Sequence, residues 1–132
     1  MDNKALYLRA KSACARAYAP YSGFRVGAAA LTASGEVFEG VNIENASYGA
    51  TICAERVAVA SAVLNGHRDD IEAVAIAAVS ASGAVVALPC GICRQFLFEF
   101  GADIRVIVGK DEDHLREYRL SELLPEGFRL GY

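Results

Sequence analysis

Two short segments constrain this chain more than anything else in it: Cys53-Ala54-Glu55 and Pro89-Cys90-Gly91-Ile92-Cys93. Each opens a run that reads as helix. The first spans Cys53 to Asn65 and closes at Gly66; the second ends near Phe100 and closes at Gly101. The pattern places three thiols at two helix starts, with one carboxylate two residues after the first. Helix starts favour thiolates, because the first backbone N–H groups lack intrahelical partners and the dipole is positive there. Cys90 and Cys93 are three apart, so one helical turn puts them on the same face. Three soft ligands with an open fourth position describe a catalytic zinc better than a closed structural one.

The fold has to bring those two helix starts together, and the order of elements shows how. Asp2 can cap a first helix running to about Tyr18, with Leu6, Ala10, Ala13, Cys14 and Ala17 as its buried stripe. Cys14 has no partner at ligand spacing and reads as a small core residue. After the Ala19-to-Gly23 break, Val26 to Thr32 and Val37 to Val41 read as a hairpin. A polar loop, Asn42 to Gly49, feeds the Cys53 helix. That helix is apolar nearly all round, which predicts burial on all sides, either on one sheet or at a centre shared by several subunits. Ile71 to Ser80 and Ile104 to Val108 read as further strands. The segment from Lys110 to Tyr118 is charged and reads as exposed, and Ser121 to Pro125 as a short capped turn. The order β-β-α-β-α-β implies a mixed α/β fold in one domain over residues 1–132, with both thiol helices following strands at one sheet edge.

Composition narrows the function. The net charge is −3 and no basic run occurs, so a nucleic-acid backbone is not the expected partner. No apolar stretch is long enough for a membrane span, and the polar start Met1-Asp2-Asn3-Lys4 has no cleavable apolar core. A cytoplasmic protein is expected, in which four cysteines are ligands sooner than disulfides. Hydrophobic residues make up 54% of only 132. A small chain has little interior, so this excess points to faces buried against other subunits.

At the site, Glu55 is the natural proton carrier. It takes a proton from water activated by the metal and returns protons to a ring nitrogen and a leaving amine. Three thiolates on a dication leave an excess of negative charge. Two helix starts, with Arg56 and Arg94 beside the thiols, are the expected compensation. C-G-I-C alone also fits a redox pair or a structural zinc. His67 and His114 both read as solvent-facing.

These residues resemble the cytidine deaminase family, of the small homotetrameric zinc-dependent type. The likeness covers Tyr21 to Ala29, Gly40 to Tyr48, Cys53 to Arg56 and Pro89 to Gln95. The resemblance implies a three-layer α/β/α fold with a mixed central sheet, and Zn²⁺ on Cys53, Cys90 and Cys93 with Glu55 as the catalytic residue. It further implies Asn42 and Glu44 on the ribose, Phe24 against the base, backbone near Ala54 helping to bind the base, and Arg56 behind the metal ligands. Tyr48 and Phe128 would belong to contacts across a subunit boundary. The activity implied is hydrolytic deamination of cytidine and 2′-deoxycytidine, or of a modified nucleoside as in the related blasticidin deaminases. A non-catalytic zinc-stabilised binding module is the reading of a different class. The tail departs from the family's L-L-P-x-x-F-G-P: Phe128 is kept, but Arg129 and Leu130 replace the Gly-Pro.

Overall fold

The computed structural model describes residues 1–131. Asp2 caps α1 (Asn3–Ala13) by accepting from the Ala5 N–H at 2.8 Å. A 3₁₀ turn, Cys14–Arg16, then ends the helix earlier than expected. The hairpin β1 (Arg25–Thr32) and β2 (Val37–Val41) is followed by α2 (Ala54–Leu64), β3 (Ile71–Ser80) and β4 (Gly83–Val85). After these come α3 (Gly91–Phe98), β5 (Arg105–Gly109), β6 (Leu115–Arg119) and the single turn α4 (Leu120–Leu123).

Among the described residues, six strands form one sheet in the order β2-β1-β3-β5-β6, with β4 on the remainder of the β3 edge. Among the strand pairs of the described residues, only β3 and β5 run parallel; the others are antiparallel. The sheet is mixed because the connection through α3 returns β5 alongside β3, which a tight turn cannot do.

The period of two along each strand sorts the core into two layers. Ala28, Ala30, Val74, Ile76, Val106 and Val108 pack with α2, Leu97 of α3 and Leu120 of α4. Their neighbours Ala29, Leu31, Ala73, Ala75, Ala77 and Ile107 pack with Leu6, Tyr7, Ala10 and Cys14 on the other face. The result is helix, sheet, helix. Both helical layers come very close to the sheet. A Cβ on Gly27 would lie 2.0 Å from the Ala10 carbonyl oxygen, and one on Gly40 would lie 2.3 Å from the Ala58 nitrogen. Gly40 thus lets α2, which carries Glu55, lie against β2.

Four expectations need correction. Leu115–Arg119 is a strand, not only an exposed charged stretch. Its alternation is weak because it is an edge strand, and Arg116, Glu117 and Arg119 face outward. The buried stripe of α1 includes Tyr7, whose hydroxyl donates to the Gly109 carbonyl at 2.9 Å, while Ala17 is only half-buried. Helix α2 is buried on one face rather than all round: Leu64 is 86% exposed in this single chain, and Ala60 is exposed too. Lastly, His67 does not face solvent. Its side chain is 16% exposed, its ring tilts against Phe38, and its two nitrogens meet Asp70 at 3.1 Å and Glu36 at 3.3 Å. His114 is exposed, as expected.

His67 ties the α2–β3 connection to the β1–β2 turn. The Asp70 carboxylate, with Glu36 beyond it, raises its pKa above the ordinary imidazole value. The stabilising contribution is therefore fully present below the unfolded-state pKa of about 6.5 and is lost as pH rises through the higher folded-state value. A His67→Gln variant should show a larger drop in thermal midpoint against the parent at pH 6 than at pH 8.5. Equal drops at both would remove the charge from the account.

Candidate metal centre and substrate pocket

Cys53 is the N-cap of α2 and Cys90 the N-cap of α3, with Cys93 at the third helical position of α3. Among the described residues neither cap side chain bonds back to its helix. The positive ends of both helix dipoles therefore lie beside the sulfurs, although the Arg56 N–H is taken by the Cys53 carbonyl at 3.2 Å. The sheet places the two tips together. Pairing of β5 along β3 ends at Ile76↔Val108, and pairing of β4 starts at Ala78↔Val85. Ile76 lines the pocket at that break.

All three sulfurs lie within 4.8 Å of one another, and the Cys53 and Cys90 sulfurs are 3.7 Å apart. Two sulfurs at about 2.3 Å from a tetrahedral zinc stand roughly 3.8 Å apart, whereas a disulfide would need about 2.05 Å. All four cysteines are free thiols. The donor set and its span fit zinc and leave a coordination position that no protein sulfur takes. The electrostatics fit a cation as well. The Cys93 thiol donates to Cys53 and, with Arg56, holds the Cys53 thiol down to about 5 against its burial. Cys93 is itself pushed upward by that bond and by burial.

Glu55, at the second position of α2, is 4% exposed. Burial pushes its carboxyl up to about 7, and the negative Cys53 sulfur adds to the rise while its own backbone N–H opposes it. A carboxyl that is neither firmly charged nor firmly neutral near pH 7 can both take and give a proton. The next residue, Arg56, directs its charge at the Cys53 and Cys93 sulfurs, and its buried Nε has no hydrogen-bond partner among the described residues.

Arg94 does not do likewise, which corrects the expectation drawn from its place in the sequence. Its Nε donates to the Pro89 carbonyl and a terminal nitrogen to the Leu123 carbonyl, both at 2.7 Å. A side chain at the fourth position of α3 points along the helix flank, away from the tip where the sulfurs gather.

A pocket of about 220 Å³ opens beside the sulfurs, and Phe24, Asn42, Cys53, Ala54, Glu55 and Cys90 are among the residues that line it. Val26, Thr51, Ile52, Ile76, Ala87 and Leu88 complete its walls. Of these, Val26 lies in the Tyr21-to-Ala29 stretch, while Thr51 and Ile52 run directly into Cys53, and Ala87 and Leu88 into Pro89-Cys90; Ile76 had no signal in the sequence. Asn42 is 9% exposed, and its amide is engaged with backbone: Oδ1 accepts from the Val26 N–H and Nδ2 donates to the Phe24 carbonyl. Each atom retains one further bonding capacity.

Glu44 lies outside this pocket. Its carboxylate accepts from the Tyr21 and Ser22 N–H groups and from the Ser22 hydroxyl, and it lines an adjoining groove of about 370 Å³ with Tyr48. Thr51 belongs to both spaces. Tyr48, at 81% exposed, and Phe128, at 65%, stand clear of the sulfur pocket in the single chain.

The family described as the cytidine and deoxycytidylate deaminase zinc-binding region matches residues 1–110. The chain belongs to this family. It is 47% identical over 129 residues to a cytidine deaminase of Halalkalibacterium halodurans, covering 97% of this chain and 95% of that one. It is 45% identical to a cytidine deaminase of Mycobacterium tuberculosis, covering 92% and 85%. The crystal structure of cytidine deaminase from Burkholderia pseudomallei superposes with a TM-score of 0.89 at 42% identity, covering 97% of this chain and all of that one. The α/β architecture is that of the family, and the three-sulfur cluster is able to hold a metal ion such as the zinc that the family description names.

Because Arg56 offsets the charge of three sulfurs, Arg56→Ala should lower zinc content or reduce kcat/KM by roughly 10–100-fold. Metal analysis and initial rates on the same preparation decide it. Unchanged zinc together with an unchanged rate would exclude the role.

Proposed function

We propose that the chain catalyses hydrolytic deamination of cytidine and 2′-deoxycytidine to the corresponding uridines, releasing ammonia. The observation that carries this is the buried Glu55 carboxyl standing with three converging sulfurs on the wall of one apolar pocket. Zinc on Cys53, Cys90 and Cys93 supplies Lewis acidity that makes water an effective nucleophile at neutral pH.

The chain's own groups do the rest. Glu55 accepts a proton from the attacking water and delivers it to the pyrimidine ring nitrogen as the new C–O bond forms at the amine-bearing carbon. The proton of the newly added hydroxyl then passes through Glu55 to the amine, the C–N bond breaks as the carbonyl forms, and ammonia leaves. Phe24 offers an aromatic face to the base, and the Ala54 backbone borders the same space. The pocket, at about 220 Å³, is below the roughly 300–1,000 Å³ usual for small-molecule sites. It suits a base, with the sugar left in the mouth. There Asn42 and, across Thr51, Glu44 are the polar groups able to read a ribose hydroxyl.

The unfilled side of the mouth fits completion by neighbouring subunits in a homotetramer. Tyr48, Phe128, Leu64 and Ile92 are large, apolar or aromatic, and exposed in one chain. The whole chain then acts as one catalytic domain on a free nucleoside, in pyrimidine salvage. A net charge of −3 gives a nucleic-acid backbone little to hold. Four free thiols suit the reducing cytoplasm, and among the described residues no helix is long and apolar enough to cross a membrane.

The test is Glu55→Gln, followed by loss of cytosine absorbance with zinc measured in the same sample. Wild type should turn over cytidine, and the variant should keep its metal while losing roughly 10²–10⁴-fold in kcat, the usual share of a single acid–base group. Wild-type turnover in the variant, or no turnover of any cytosine nucleoside by the parent, would overturn the assignment.

A further inference from the structure

Of the three sulfurs, that of Cys90 is the least supported. Cys93 is fully buried within α3, and Cys53 is half-buried and follows Ile52, which is bridged to Ile43. Cys90 is exposed, and it ends an irregular stretch, residues 86–90, that leaves β4 with no ladder of its own. Something else must fix its approach to the cluster.

Arg94 is placed to do so. Its N–H donates to the Cys90 carbonyl at 2.9 Å as part of α3, and its guanidinium reaches back to the Pro89 carbonyl. The same guanidinium holds the Leu123 carbonyl at the end of α4. Charge-assisted bonds from one planar fork to two carbonyls fix both distance and angle. The α4 end is itself anchored. Leu120 is fully buried, its N–H donates to the Ile104 carbonyl, and the Ser121 N–H donates to Ala102. The segment beyond lies along α3 as well, with Gln95 donating to the Phe128 carbonyl and Gly127 against the Phe98 ring.

We propose that Arg94 is a positioning residue for the zinc: by bracing the Pro89 carbonyl against the end of α4, it holds the Cys90 sulfur in place. It touches neither metal nor substrate. Its effect is read as how long zinc is kept, since an unbraced Cys90 is the ligand that swings away first. The inference rests on the zinc assignment of the three cysteines and adds a residue to it.

The experiment measures zinc transfer from the zinc-loaded full chain to a chromogenic chelator at 25 °C, with thermal midpoints recorded alongside. Arg94→Ala should release zinc at least about tenfold faster than the parent. Arg94→Lys keeps the charge but not the fork, and should fall between. Ile107→Val, which thins the core on the α1 face, controls for general loosening and should release zinc at the parent's rate. Should Arg94→Ala not fold, Arg94→Lys carries the comparison. Release at the parent's rate from the Arg94 variants, or equal acceleration in Ile107→Val, would overturn the role of Arg94 while leaving the zinc assignment standing. A parent chain that retains no zinc would overturn both.

Discussion

The structure depends on the meeting of two helix tips that carry three sulfurs. Bringing thiolates within 4.8 Å of one another is unfavourable unless positive charge is supplied. Here the helix dipoles at the starts of α2 and α3 and Arg56 supply it, and the zinc of the family would supply more, at a spacing that the 3.7 Å between the Cys53 and Cys90 sulfurs fits. Nothing within either helix determines this. The two starts are 37 residues apart in sequence, and the sheet alone makes them neighbours.

The sheet does so through a change of pairing on one edge of β3. Strand β5 occupies residues 73–76 of that edge and β4 residues 78–80. The chain that leaves β4 therefore crosses the place where β5 ends, and it carries Pro89 and Cys90 to the tip of α2. Small residues make the rest possible. Gly40 allows α2 to lie on β2, and the alanine-rich faces of β1 and β3 leave room for Ala54, Ala58 and Ala62. The same close packing buries Glu55, which raises its pKa into the range where a proton can be exchanged at neutral pH. Packing and chemistry are thus one arrangement: a looser α2 would leave Glu55 hydrated and permanently charged.

Much of this was legible before any coordinates. The strands Val37–Val41 and Ile71–Ser80, the Asp2 cap of α1 and the Gly66 stop of α2 follow from alternation, turn residues and capping chemistry, which act locally. The convergence of the three sulfurs was legible because two thiol-bearing helix starts each follow a strand at one sheet edge. What was hidden depends on contacts distant in sequence. Strand β6 is polar because it is an edge. His67 is covered by Phe38 and faces Glu36, both from a hairpin nearly thirty residues earlier. Arg94 sits beside Cys93 in sequence, but a helix turns its side chain toward Leu123 instead. The exposed apolar side of α2 read as buried because periodicity reports that a face is apolar, not which chain covers it.

The claim on which everything else stands is that three cysteine sulfurs hold one zinc and leave one position to a non-protein ligand, with Glu55 uncoordinated beside it. Zinc K-edge X-ray absorption on the purified chain tests this most directly. The account predicts three sulfur scatterers at about 2.3 Å and one oxygen near 2.0 Å, with the same pattern in Glu55→Gln. Fewer than three sulfurs, or an oxygen shell that disappears when Glu55 is changed, would contradict it.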